Sequence, residues 1–89
     1  MNGQQPDEQE LKIDYPTHWE YRLIGRDAAE LRDAVAQAVE GVEHELNFAR
    51  MSSKGSYVSM KLTLQVRDEE HRKGVWDRLA AHDGVVHLL

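Results

Sequence analysis

The chain has 89 residues, no cysteine and a formal net charge of -5. This is the size of one small domain, without disulfides or a thiolate metal site, and too acidic for general binding to a phosphate backbone. No apolar run approaches the roughly 20 residues of a membrane span, and the N-terminus lacks the basic and apolar stretches of a secretory signal, so a cytoplasmic location is expected.

Residues 1–13 are polar and acidic without apolar periodicity and read as a disordered tail. A single domain is expected over residues 14–89. Tyr15-Pro16 leads into it as an extended dipeptide, because proline pushes its predecessor out of the helical region. The first strand is read over His18–Gly25. There Trp19, Tyr21 and Leu23 alternate with Glu20, Arg22 and Ile24, and the Trp19 set is expected to face inward.

The first helix is expected to start at Asp27, with Glu30 three residues on as in a capping pair. Leu31, Ala34, Val35, Ala38, Val39 and Val42 recur at helical spacing. Gly41 is expected to cap its C-terminus, since glycine tolerates the left-handed conformation. A second strand over Glu45–Met51 has an ambiguous inward side: Leu46 and Phe48 favour one face, Ala49 and Met51 the other. A turn over Ser52–Gly55 joins it to the third strand as an antiparallel hairpin.

In the third strand Val58, Met60, Leu62, Leu64 and Val66 alternate strictly with Tyr57, Ser59, Lys61, Thr63 and Gln65. A period of two puts the two sets on opposite faces, so this is a central strand with one dry side. The second helix is expected from Asp68, with Glu69 and Glu70 in the dipole-favoured first turn. Its buried stripe is read as Val75, Trp76 and Leu79. Gly74, unfavourable inside a helix by about 1 kcal/mol relative to Ala, is read as allowing close approach of a neighbour. Asp83-Gly84 stops the helix, and Val85–Leu89 is a short final strand.

The order β-α-β-β-α-β predicts an α+β, ferredoxin-like sandwich: a four-stranded antiparallel sheet with two helices on one face. The first and third strands, the strongest in the sequence, would then be the internal ones.

Tyr15-Pro16-Thr17, Leu23-Ile24-Gly25, Ser52-Ser53-Lys54-Gly55-Ser56-Tyr57 and Val85-Val86-His87-Leu88-Leu89 occur in that order and at those separations. Together they resemble the YbeD-like family of small bacterial proteins of unknown function, from about residue 14 onward. The Ser-Ser-Lys-Gly-x-Tyr segment is the most specific part. The resemblance implies a cytosolic protein similar in architecture to the ACT-type regulatory domains of amino-acid metabolism. It implies no established activity, cofactor or catalytic residue, and the family's contextual links to lipoate metabolism or metabolite sensing assign a role to no residue.

Two stretches carry the chemistry of an anion site. Arg50, Ser52, Ser53, Lys54 and Gly55 offer cations, hydroxyls and backbone N–H groups that could cradle a phosphate or carboxylate; the same residues also make an ordinary hairpin loop. They lack the spacing of a P-loop. Gly25 and Arg26 form the second, since in ACT-type domains the corresponding loop contributes to an amino-acid site and Arg26 could grip a carboxylate. A strand exit followed by a helix cap explains the same loop.

The uncovered sheet face, with Arg22, Tyr57, Ser59 and Lys61, is an expected interface with a second copy or a protein partner, either across the face or by strand addition at an edge. An RNA-recognition sheet would need aromatic rings where Ser56, Val58 and Lys61 stand, so nucleic acid is not expected. His71 and His82 are about 16 Å apart along their helix axis and cannot share a metal; the histidines read as surface or edge residues. No nucleophile–base pair is apparent. The expected function is a non-enzymatic small-metabolite-binding or regulatory module without a cofactor, acting on a small anionic metabolite. The alternative is a protein–protein interaction adaptor working through the open face with a metabolic protein or as a homodimer.

Overall fold

A computed structural model describes residues 13–52 and 54–89. The elements are β1 (Thr17–Gly25), α1 (Ala28–Val39), β2 (His44–Met51), β3 (Val58–Val66), α2 (Glu69–Ala81) and β4 (His87–Leu88). The four strands form one antiparallel sheet in the order β2-β3-β1-β4. β1 and β3 pair along their full length, from Thr17 opposite Val66 to Gly25 opposite Val58. This is the ferredoxin-like α+β fold, and the two internal strands are those with the clearest alternation.

Both helices lie on one side. Tyr21 and Leu23 of β1 and the five apolar residues of β3 are buried there against Leu31, Ala34, Val35, Ala38 and Val39 of α1 and Val75 and Leu79 of α2. The Tyr21 hydroxyl donates to the Arg72 carbonyl at 2.8 Å, which satisfies the one polar atom carried into the core by an aromatic ring. Burial pushes its pKa up to about 12, partly offset by the nearby Arg72 charge.

Asp27 caps α1 by accepting the Ala29 N–H at 2.7 Å. The helix leaves through two successive left-handed residues, Glu40 (φ 53) and Gly41 (φ 82). The cap is therefore Glu40, one residue before the expected Gly41. Arg78 of α2 steadies this end: its Nε–H donates to the Ala38 carbonyl at 2.9 Å and its guanidinium lies 3.6 Å from Glu40. An otherwise unpaired helix-end carbonyl gains a donor this way. Gly74 serves the same contact rather than a neighbouring helix, because a Cβ there would stand 3.3 Å from the Arg78 guanidinium.

Asp68 caps α2 by accepting the His71 N–H at 2.7 Å. Two expectations for this helix fail together. Trp76 is 41% exposed, whereas His71, expected on the surface, is 8% exposed. His71, Val75 and Leu79 recur every four residues and form one stripe; Trp76 is turned about 100° from Val75. His71 is accommodated because its Nδ1 accepts the Arg67 N–H at 3.0 Å. Burial, followed by the Arg67 charge, lowers its pKa.

β2 settles its ambiguous face in an unexpected way. Leu46 is half-buried and every other side chain of the strand is exposed, including Phe48 and Met51. The core is roofed over β1 and β3, and β2 lies beyond the roof. β4 is shorter than expected, but the bonds beside it extend the pairing: Val86 N–H to the Ile24 carbonyl at 2.7 Å, and a reciprocal 2.9 Å pair between Arg22 and Leu89. Among the described residues no helix is long and apolar enough to cross a membrane.

Candidate anion-binding site on the open sheet face

Directly opposed residues of an antiparallel pair share a face. The register places Arg50 opposite Ser59 and Ser59 opposite Ile24; Asn47 stands opposite Lys61 and Lys61 opposite Arg22. Met60 and Leu62, which alternate with these β3 positions, point into the core. Two rows, Arg50-Ser59-Ile24 and Asn47-Lys61-Arg22, therefore cross the face away from the helices.

A groove of about 510 Å³ lies over this end of the sheet, lined by Arg22, Ile24, Arg50, Ser52, Tyr57 and Ser59 among others. A neighbouring depression of about 210 Å³ shares Arg22 and Ser59 and adds Lys61 and Asn47. Sequence reasoning had no signal for Asn47. Its place beside Lys61 follows from the hairpin register and from an irregularity between Phe48 and Arg50, neither of which has a period in the sequence.

The electrostatics are uneven. Arg22 meets Glu20 at 3.3 Å, with both side chains well exposed. Among the described residues, Arg50 and Lys61 belong to no ion pair. Arg22 and Lys61 are like charges held directly opposite one another, an arrangement that destabilises a sheet. The side chains lining the groove include guanidinium groups and hydroxyls but no carboxylate and no imidazole, and Leu89 also lines it. A larger groove of about 650 Å³, at the other end of β1 and β3, sets Glu43 and Glu45 beside Arg67 and three histidines. Its carboxylates make it the poorer place for an anion, despite its size.

The hairpin loop uses most of its own polar groups. The Ser52 hydroxyl accepts from the Ser56 N–H at 3.0 Å and the Tyr57 N–H at 3.1 Å, and the Ser52 carbonyl accepts from the Gly55 N–H at 2.8 Å. These N–H groups are committed to closing the turn, and Gly55 supplies its positive φ of 71. What the segment brings to the groove is Arg50 and the edge of Ser52; Lys54 is exposed and outside the lining, as is Gly55. Ser53 lies outside the described residues, as does nearly all of the expected N-terminal tail.

The Gly25-Arg26 loop divides into two roles. Gly25 is a packing residue, because a Cβ there would strike the Gly84 carbonyl and come within 2.8 Å of Leu31. Arg26 turns the other way and sets its guanidinium 5.7 Å from the centre of the Tyr57 ring. The loop after β1 and the hairpin, read separately in the sequence, thus meet at Tyr57. His71 and His82 do not meet: His82 lies 3.0 Å from Asp33 and accepts the Gly84 N–H, while His71 is occupied with Arg67.

The fold and this face define a small α+β module of ACT-like architecture with one sheet surface uncovered among the described residues. Residues 10–89 match the family described as "Protein of unknown function (DUF493)", and the chain belongs to that family. It is 27% identical over 82 residues to a UPF0250 protein of Hahella chejuensis, covering 88% of this chain and 90% of that one. The resemblance to the YbeD-like family holds, and it begins slightly ahead of Asp14. The fold is shared with the solution structure of the Helicobacter pylori protein HP0495, at 22% identity and a TM-score of 0.80 over 100% of this chain and 98% of that one. It is shared more loosely with the ACT domain from GTP pyrophosphokinase of Chlorobium tepidum, at 14% identity and a TM-score of 0.57 over 81% and 94%. These structural likenesses show architecture. The family is not one of known enzymes.

Proposed function

We propose that this protein is a binding module, not an enzyme, and that it holds a small carboxylate- or phosphate-bearing metabolite over Arg22, Arg50 and Lys61. The observation that carries this reading is the opposed Arg22–Lys61 pair beside Arg50, which forms no ion pair among the described residues, on one end of an otherwise acidic chain. Arg50 and Lys61, which belong to no ion pair among the described residues, gain most from an anion placed above them, and the hydroxyls of Ser52, Tyr57 and Ser59 line the adjoining groove as hydrogen-bond partners. No lining side chain is a base that could activate those hydroxyls, which supports binding over catalysis.

Thermal-shift titration with amino acids, nucleotides and acyl anions tests this. A ligand at ten times its dissociation constant stabilises by about 1.4 kcal/mol, and each kcal/mol moves the Tm of such a domain by about 4–8 °C. The shift should shrink with added salt and vanish in Arg50→Ala. Absence of a shift for every anion class at millimolar concentration ends the reading.

A second reading, a protein-interaction adaptor, is favoured by Phe48 and Met51, which are 58% and 53% exposed beyond the helical roof. Affinity capture in which Phe48→Ser loses a partner, while anion stabilisation is retained, would assign the work to β2 instead.

A further inference from the structure

We propose that the uncovered half of the β1 edge pairs with the same edge of a second copy of the chain, antiparallel and centred on Trp19, so that two sheets join into one. β4 covers only the far end of β1. The last bonds on that side are the reciprocal pair between Arg22 and Leu89; from Tyr21 back to Thr17 the described residues supply no backbone partner. Backbone groups alternate along an antiparallel strand. Since those of Arg22 point toward β4, those of Glu20 and His18 point out through the same edge, and both side chains are exposed. An open row of N–H and C=O groups is a template for another strand. The opposite edge, β2, is interrupted between Phe48 and Arg50, a device that discourages such pairing.

The sequence of this edge selects both the occupant and the register. Centred on His18, the pairing would set Glu20 against Pro16, which has no N–H to give. Centred on Glu20, it would oppose two carboxylates and would need the Arg22 groups already bonded to Leu89. Centred on Trp19, His18 of each copy faces Glu20 of the other in a hydrogen-bonded pair, and the imidazole can donate to the carboxylate. Trp19 then faces Trp19 in a non-hydrogen-bonded pair, where side chains come closest. The window from Thr17 to Tyr21 is filled end to end.

The flank agrees with this register. Trp19 is half-buried beneath the Arg72 guanidinium, 4.8 Å from its ring centre, beside a groove of about 440 Å³ that it shares with the exposed Trp76. The second copy would cover both rings. A five-residue ladder with this flank buries less than the roughly 1,600 Å² of a standard interface, so the dimer is reversible and concentration-dependent. It involves neither Arg50 nor Lys61, though Glu20, its partner for His18, also lies 3.3 Å from Arg22.

Sedimentation equilibrium over a wide concentration range, with amide hydrogen exchange by NMR, tests the proposal. The intact chain should pass from monomer to dimer, with the His18 and Glu20 amides becoming protected as it does. Glu20→Pro should remain monomeric, because proline removes an edge N–H while the β1–β3 ladder uses the groups of Trp19 and Tyr21; unchanged protection at Leu62 and Leu64 confirms that the variant is folded. His18→Glu should weaken the dimer by about tenfold, as two pairs of like charges are opposed, and the double variant His18→Glu, Glu20→Lys should restore it. A monomer at every concentration overturns the proposal. So does a dimer whose His18 and Glu20 amides exchange freely, or one that the double variant fails to restore. Protection of those amides in a monomer, lost on deleting residues 1–12, would assign the edge to the chain's own N-terminus and equally overturn it.

Discussion

Lys61 and Leu62 are neighbours on β3, yet they belong to two different environments. Leu62 is fully buried under the helices. Lys61 lies on the open side, opposite Arg22 and Asn47. The covered face is held by packing and tolerates no mismatch in volume. The open face keeps two cations, Arg22 and Lys61, directly opposed across the central pair of strands, with Glu20 3.3 Å from Arg22. An anion bound there, as proposed, would relieve that repulsion.

The widest expected gap between the faces is in truncation. Leu62→Ala should cost about 2–5 kcal/mol in urea unfolding, through lost transfer energy and a residual cavity. Lys61→Ala at the adjacent position should stay within about 0.5 kcal/mol. Equal costs would mean that the open face is covered in the native state.

The covered face should also respond to alkali. Tyr21 titrates near 12 in the folded protein and near 10 when unfolded, so its contribution is complete below pH 10 and is lost as the pH rises through 12. The difference of about two units corresponds to roughly 2.7 kcal/mol at most. Tyr21→Phe should remove this alkaline slope from the denaturation midpoints, and an unchanged slope would sever it from Tyr21.

His71 works in the other direction of pH. Its folded pKa is lowered from the ordinary 6.5, so the unfolded chain takes up the proton first. Stability from the neutral, buried ring is present above pH 6.5 and falls as the pH drops through the folded value. His71→Gln, which keeps an acceptor for the Arg67 N–H, should flatten that acid limb.

The smallest effect lies on the open face and has the opposite sign. Lys61→Gln should raise stability by about 0.2–1 kcal/mol at low ionic strength by relieving Arg22, with the gain fading as salt is added. The same variant should weaken anion stabilisation. A loss of stability would show that Lys61 is already compensated.

Much of this was legible in the residues. The period of two in β1 and β3 and the stripe Leu31, Ala34, Val35, Ala38 and Val39 are local patterns that tertiary packing obeyed. The α2 stripe misled because Trp76 is the more apolar residue, yet the four-residue spacing from His71 to Val75 and Leu79 decides which side is roofed. β2 could not be assigned a face because only Leu46 reaches the edge of the core and its other side chains are exposed. Of the candidate site, Arg50 and the open-face residues Arg22, Ser59 and Lys61 were visible singly, while Asn47 and the meeting of Arg26 with Tyr57 were not.

Alternation, caps and turn residues act over a few positions, so the sequence by itself determined the order of elements, the internal strands and the inward side chains of β1 and β3. Only the tertiary structure decided that Arg22, Arg50 and Lys61 gather at one end, that β2 lies outside the roof, and that β1 keeps half of one edge without a partner among the described residues. Those facts depend on register, on an irregularity and on how far a short last strand reaches. They are set by the geometry between segments tens of residues apart, which no local period encodes.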